Sequence, residues 1–196
     1  MYHNRKDAGL QLAHALRKYS KLDAIVLGIP LSGMEVAYHA AKALHLPLDA
    51  TVVKNFLLGA TGTDVHFVNP AIVRDYDLSD KDVERLILEK KKKAKELYAY
   101  FGGKKYDLSG KIAILIDDGL STGMTANIAC QIVRMGGAKR VVLALPVAYS
   151  EALKSIESRA DEVVCLNRQK EEVDISKFYT KFPNVDIPKI KEYLSG

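Results

Sequence analysis

The sequence predicts an α/β protein, an open twisted parallel sheet flanked by helices, on three observations. Short apolar runs alternate with longer segments patterned at helical spacing, as in parallel strands joined by crossover helices. The most apolar run, Lys111 to Ile116 (KIAILI), reads as a strand buried on both faces. The chain has 196 residues, 48% hydrophobic and 27% charged, which suits one packed domain rather than a disordered or disulfide-held chain.

In chain order, Ala8, Leu12, Ala15, Leu16 and Tyr19 mark one face of a helix over Arg5 to Tyr19. Asp23 to Ile29 (DAIVLGI) is then a buried strand stopped by Pro30. Val36, Ala37, Ala40, Ala41 and Leu44 give a second helix over Gly33 to Leu44, and Leu48 to Val53 reads as the next strand, completing a β-α-β unit. Between Lys54 and Tyr76, Gly59 and Gly62 suggest a mobile loop, His66 to Val68 a short strand and Asn69-Pro70 a turn. Ser79, with Asp82 three residues on, opens a long charged helix that ends near Gly102-Gly103. After the Lys111 to Ile116 strand come a helix over Thr122 to Met135, a strand over Arg140 to Ala144, a helix over Ser150 to Ser158 and a short strand over Val163 to Leu166. A polar and aromatic segment begins at Asn167, and a last helix lies near Ile187 to Leu194. The domain reading is one domain over 1–196, with a core over about 1–166 and a C-terminal tail or hood over about 167–196.

Composition excludes several classes. Two cysteines, Cys130 and Cys165, are too few for a disulfide framework and stand at no metal-ligand spacing, which suits a reducing cytoplasm. The N-terminus, MYHNRKDA, has no apolar h-region, and no apolar run approaches the roughly 20 residues of a membrane span, which argues against secretion and membrane insertion. The net charge of +5 permits an anionic partner without selecting one. That excess is local: nine basic and four acidic residues lie between Lys81 and Lys105. The run Lys90 to Lys93 is read as a solvated helix face in preference to an RNA or DNA contact.

The chemistry concentrates in Ile112 to Thr125, IAILIDDGLSTGMT. An apolar strand ends in two carboxylates, and a loop of small and hydroxyl residues leads into a helix. Ligands of open parallel sheets bind beyond the carboxyl ends of the strands. Gly119 and Gly123 let the backbone curl, and the amides and hydroxyls from Ser121 to Thr125 make an anion cradle suited to a phosphate monoester. Asp117 and Asp118 repel phosphate and accept hydrogen bonds only, which suits a vicinal diol or a divalent cation. Phosphate, diol and metal together describe a sugar phosphate. A nucleotide P-loop does not fit, because Gly119 and Gly123 are one residue too close and Met124 stands where its lysine would be.

With these residues the sequence resembles the type I phosphoribosyltransferases, whose signature is an apolar strand, two acidic residues and a loop ending Thr-Gly-x-Thr. The resemblance extends to a small bacterial and archaeal subgroup through Asn4 to Gly9 (NRKDAG), Pro30 to Val36, Ala160 to Leu166 (ADEVVCL) and Phe178-Tyr179. It implies 5-phosphoribosyl-1-pyrophosphate as substrate, Mg²⁺ as cofactor, a nitrogenous acceptor, release of pyrophosphate and a homodimer. Carried over by position, Asp117 and Asp118 would hold the ribose hydroxyls and, through them or water, the metal. Gly119, Leu120, Ser121, Thr122, Gly123, Met124 and Thr125 would hold the 5-phosphate, while Leu31, Ser32, Gly33 and Lys54 would hold the pyrophosphate. Phe178 and Tyr179 would either stack on the acceptor or pack the tail onto the sheet.

Two departures from the subgroup keep a second reading open. Its first loop commonly reads Pro-Arg-Gly-Gly, whereas this chain has Pro30-Leu31-Ser32-Gly33. Where the subgroup tends to carry two adjacent basic residues, this chain has Lys54 and Asn55. Lost positive charge at the pyrophosphate position admits a binding protein or regulator without efficient turnover. Ser121 stands where purine-salvage members carry an acid/base aspartate, which disfavours a hypoxanthine or guanine acceptor.

Overall fold

Continuous apolar runs pair into a parallel sheet in the computed structural model, which describes residues 1–56, 59–61, 66–68, 70–102, 106–172 and 174–195, with the backbone alone at 54–56, 59–61, 67 and 72. The strands in chain order are β1 (Ala24–Gly28), β2 (Leu48–Ala50), β3 (Lys54–Phe56), β4 (Gly59–Thr61), β5 (His66–Val68), β6 (Ile112–Ile116), β7 (Arg140–Tyr149) and β8 (Glu162–Gln169). The helices are α1 (Arg5–Leu16), α2 (Gly33–Leu44), α3 (Pro70–Asp75), α4 (Asp80–Phe101), α5 (Met124–Met135), α6 (Ser150–Ile156) and α7 (Ile187–Ser195). Short 3-10 turns follow α1 at Arg17–Tyr19 and lie within the C-terminal segment at Ile175–Phe178.

The main sheet runs β2-β1-β6-β7-β8, all parallel, and β3-β4-β5 form a separate antiparallel sheet. Alternation along the buried strands sends residues to two faces. Ala24, Val26, Ile112, Ile114, Ile116, Val142 and Ala144 meet α1 and α2 on one face. Ile25, Leu27, Ala113, Leu115, Val141 and Leu143 meet α5 and α6 on the other. A third cluster, including Met34, Ala50, Phe101, Ile190 and Tyr193, packs α4 and α7 beside β2.

Most predicted elements occur where the sequence places them, and the differences have local causes. β7 runs five residues beyond the expected Ala144, through Pro146, whose missing N–H argues against ladder pairing when only the sequence is read. Pairing resumes past it, with Val147 opposite Asn167 and Tyr149 opposite Gln169, so β8 also outlasts its apolar stretch. Pro70 begins α3 rather than a turn, consistent with proline at a first helical position. The expected loop near Gly59 contains β4, whose Gly-Ala-Thr sequence carries little strand propensity, while Gly62 lies outside the described residues. The Ser79 cap is present: its hydroxyl accepts from Asp82 N–H at 3.2 Å. Lys92 and Lys93 of the lysine run are mainly exposed and lie near Glu96 and Glu89 at helical spacing, as a solvated face would have them. Among the described residues no helix is long and apolar enough to cross a membrane, and both cysteines are free thiols.

Candidate functional site

The strand order reverses direction between β1 and β6: the chain leaves β1 toward β2 on one side and returns to β6 on the other. A crevice beyond the carboxyl ends of β1 and β6 follows from that reversal. The Ile29 to Gly33 loop meets the end of β6 there, with Ile29 N–H donating to Ile116 O at 2.9 Å and Gly33 lying against Asp117. Contact is close at Gly33, where a Cβ would come within 2.7 Å of Asp117 Oδ1 and 2.9 Å of Ile116 O, so only glycine fits. The Pro30-Leu31 peptide is cis. The earliest backbone bonds of α2 run from Met34 N–H to Leu31 O and from Glu35 N–H to Ser32 O, so the amides of Leu31, Ser32 and Gly33 precede the helix ladder. Leu31 is 41% exposed and gives this loop no charge. Lys54 begins β3, and its side chain lies outside the described residues.

On the β6 side the two carboxylates differ. Asp117 is partly exposed, and its Oδ1 accepts the Asp118 N–H at 2.8 Å. Burial, then the neighbouring Asp118 charge, pushes the Asp117 carboxyl well above the usual carboxylate range. Asp118 is buried, and its Oδ2 accepts from Arg5 Nε at 2.9 Å. The Asp118 carbonyl accepts the Tyr179 hydroxyl at 2.6 Å.

The phosphate-cradle segment is pinned at both ends. Leu120 N–H donates to Val147 O, and Tyr149 N–H donates to Leu120 O, which fixes the loop to the extension of β7. Gly123 caps α5 with φ of 79°, a left-handed conformation that glycine adopts freely. The first intrahelical bond runs from Asn127 N–H to Gly123 O, so the Met124 and Ala126 amides fall in the turn whose N–H groups a helix cannot satisfy itself. The Thr122 and Met124 side chains are exposed, and the Ser121 hydroxyl donates to Glu172 Oε1 at 3.1 Å. Ile175 packs directly over Gly119. The C-terminal segment therefore crosses the acidic turn.

The structure thus brings Gly33, at the end of the Leu31 to Gly33 loop, against Asp117, with Asp118 next in the chain and the Gly119 to Thr125 turn continuing from the same strand end. It corrects the stacking reading of Tyr179. That ring is buried, its hydroxyl bonded to Asp118, with Tyr2 at 5.4 Å and Phe182 at 4.9 Å between centroids. Phe178 packs against the same core. Both follow the alternative in which the aromatic tail packs onto the sheet. A cleft of about 330 Å³, lined in part by Tyr38, Lys42, Tyr106 and Tyr193, lies beside β2 and contains none of these carboxylates or hydroxyl residues.

Sequence reasoning missed the role of Arg5. The Asn4 to Gly9 motif was the available signal, but nothing local in it reveals that Arg5 reaches Asp118. Glu35 was missed too; burial holds its carboxyl above the ordinary value, with Arg5 opposing that shift.

Comparison with known proteins adds an independent line. A family model described as phosphoribosyl transferase domain matches residues 2–182. A Mycobacterium tuberculosis H37Rv protein provisionally named as a phosphoribosyl transferase is 37% identical over 179 residues, covering 85% of this chain and 40% of that protein. The chain therefore spans about 40% of the length of the curated relatives it matches. The crystal structure of TT1426 from Thermus thermophilus superposes with a TM-score of 0.85 at 29% identity, covering 99% of this chain and 97% of that one. A purine phosphoribosyltransferase from Pyrococcus horikoshii shares the fold, with a TM-score of 0.54 at 20% identity over 93% of each chain.

Proposed function

The chain belongs to the phosphoribosyl transferase domain family, and from that premise we propose that it transfers the phosphoribosyl group of 5-phosphoribosyl-1-pyrophosphate to a nitrogenous acceptor, releasing pyrophosphate. The observation that carries the reading is the close approach of Gly33, at the end of the Leu31 to Gly33 loop, to Asp117 of the vicinal pair Asp117-Asp118 at the sheet's reversal point.

In this reading Asp117 and Asp118 accept hydrogen bonds from the two ribose hydroxyls. The turn from Gly119 to Thr125 receives the 5-phosphate on backbone amides and on the hydroxyls of Ser121, Thr122 and Thr125. Leu31, Ser32 and Gly33 offer amides to the pyrophosphate, with Lys54 supplying its cation. These groups orient the anomeric carbon and stabilise charge as the leaving group departs, so positioning and electrostatics supply the catalysis. Two adjacent carboxylates without a third ligand suit Mg²⁺ shared with substrate: among the described residues no group of three or more His, Cys, Asp or Glu could hold a metal ion. Asp117 and Asp118 would hold the ion indirectly, through water or the sugar hydroxyls, and its charge would offset that of the pyrophosphate. The residues over 167–196 act as a hood on the core over 1–166, the partner is a second copy of the chain, and the compartment is the cytoplasm.

The exposed, uncharged Leu31 favours a second reading in which the same ligand binds without efficient turnover. Pyrophosphate release distinguishes the two. With substrate and Mg²⁺ present, addition of a panel of nitrogenous bases and amines is expected to elicit pyrophosphate with at least one acceptor. Ligand binding with no release across the panel would leave the binding reading standing and remove the transferase reading.

A further inference from the structure

Arg5 occupies two positions that are unfavourable for a cation. It is the first residue of α1, at the positive end of the helix dipole, and it is only 3% exposed. A buried guanidinium needs several partners to offset its lost hydration. Arg5 has them: Nε donates to Asp118 Oδ2, Nη1 donates to Pro183 O at 2.5 Å, and the Phe182 ring centroid lies 3.7 Å from the guanidinium carbon. Glu35 Oε2 of α2 stands 3.9 Å from Nη1. The Asn4 side chain accepts Asp7 N–H at 3.0 Å and fixes the start of α1, so the arginine stem is anchored too.

The consequence falls on one carboxylate. Asp118 is gripped at Oδ2 by Arg5 and at its carbonyl by Tyr179, whereas Asp117 makes no hydrogen bond to a cation among those described. The groups facing this cation are Asp117 and Asp118 after β6, Glu35 on α2 and Tyr179 on the C-terminal segment, with Lys189 of α7 acting on Glu35. One arginine therefore serves two carboxyls directly, Asp118 at 2.9 Å and Glu35 at 3.9 Å.

We propose that Arg5 is a positioning residue for the sugar site, holding Asp118 by one oxygen so that the other is presented to a ribose hydroxyl. The proposal rests on the sugar-phosphate reading of the crevice. It explains why a cation sits at an otherwise unfavourable helix position, and it gives the Asn4 to Gly9 motif a task at a site more than a hundred residues away in sequence. Lysine cannot replace it fully, because an ammonium on a flexible stem lacks the planar fork that engages Asp118 and Pro183 together.

The test compares two probes, ribose 5-phosphate and inorganic phosphate, titrated calorimetrically into unaltered protein, Arg5→Lys and Arg5→Met. Ribose 5-phosphate uses both the carboxylates and the phosphate cradle; inorganic phosphate uses the cradle alone. Arg5→Met is expected to weaken ribose 5-phosphate binding about tenfold or more, a factor set by roughly one hydrogen bond. Inorganic phosphate affinity should stay within about twofold, and Arg5→Lys should recover part of the sugar loss. Arg5→Lys retains the charge, so it supplies the reading if Arg5→Met does not fold. Equal losses for both probes, or no loss for either in a folded variant, would overturn the assignment of Arg5. Failure of the unaltered protein to bind ribose 5-phosphate would overturn the functional reading and this proposal with it.

Discussion

Asp118→Ala is expected to destabilise the fold by about 3–5 kcal/mol, because it leaves the Arg5 guanidinium buried without its carboxylate. The value should fall toward the lower end, since Pro183 O, the Phe182 ring and the nearby Glu35 remain. Asp118→Asn retains an oxygen that can accept from Arg5 Nε and should lose less. Urea unfolding of both variants beside Asp23→Ala checks this; Asp23 pairs with Lys111 at a more exposed position and should cost no more than about 1 kcal/mol. If Asp118→Ala and Asp23→Ala shift the midpoint equally, the buried pair carries no special stability.

Asp117→Asn should do the opposite to stability while harming binding. A carboxyl held above its ordinary pKa binds its proton more tightly in the folded chain than in the unfolded one. Stability therefore falls as pH rises from the ordinary carboxylate range toward the folded value, and it stays lower above that. Asparagine removes the ionisation and can still accept the Asp118 N–H through its side-chain oxygen. Near neutral pH the variant should be more stable on the order of 1 kcal/mol, allowing for partial exposure, or about 2–4 °C in Tm. The advantage should narrow as pH is lowered toward about 4. In the same variant the Kd for the magnesium complex of phosphoribosyl pyrophosphate should rise about 10- to 150-fold, the range for one hydrogen bond to a charged group. An advantage that grows on acidification would contradict the strained-carboxylate account.

The sheet was legible because burial on both faces leaves continuous apolar strands, and the helices because their apolar faces recur at helical spacing. Gly33 to Leu44 and His66 to Val68 coincide with α2 and β5. What escaped was structure supplied by distant partners. β7 continues through Pro146 because β8 resumes its ladder beyond it, and no window around residue 146 carries that information. The acidic pair announced a site, yet its asymmetry comes from Arg5 and Tyr179, separated from Asp118 by 113 and 61 residues. The aromatic tail allowed ligand stacking and core packing equally, and only the position of the Tyr179 hydroxyl on Asp118 O decides for packing. Net charge pointed away from the site: its basic excess lies mainly along the exposed α4, whereas the crevice holds the buried Arg5 and an uncharged Leu31.

The central claim is that the crevice between the Leu31 to Gly33 loop and Asp117-Asp118 binds a phosphorylated ribose pyrophosphate. Calorimetric titration of the unaltered protein with 5-phosphoribosyl-1-pyrophosphate in Mg²⁺, repeated with Asp117→Asn, tests it most directly. The account predicts saturable 1:1 binding that the substitution weakens. An absence of binding, or binding that Asp117→Asn leaves unchanged, would contradict it.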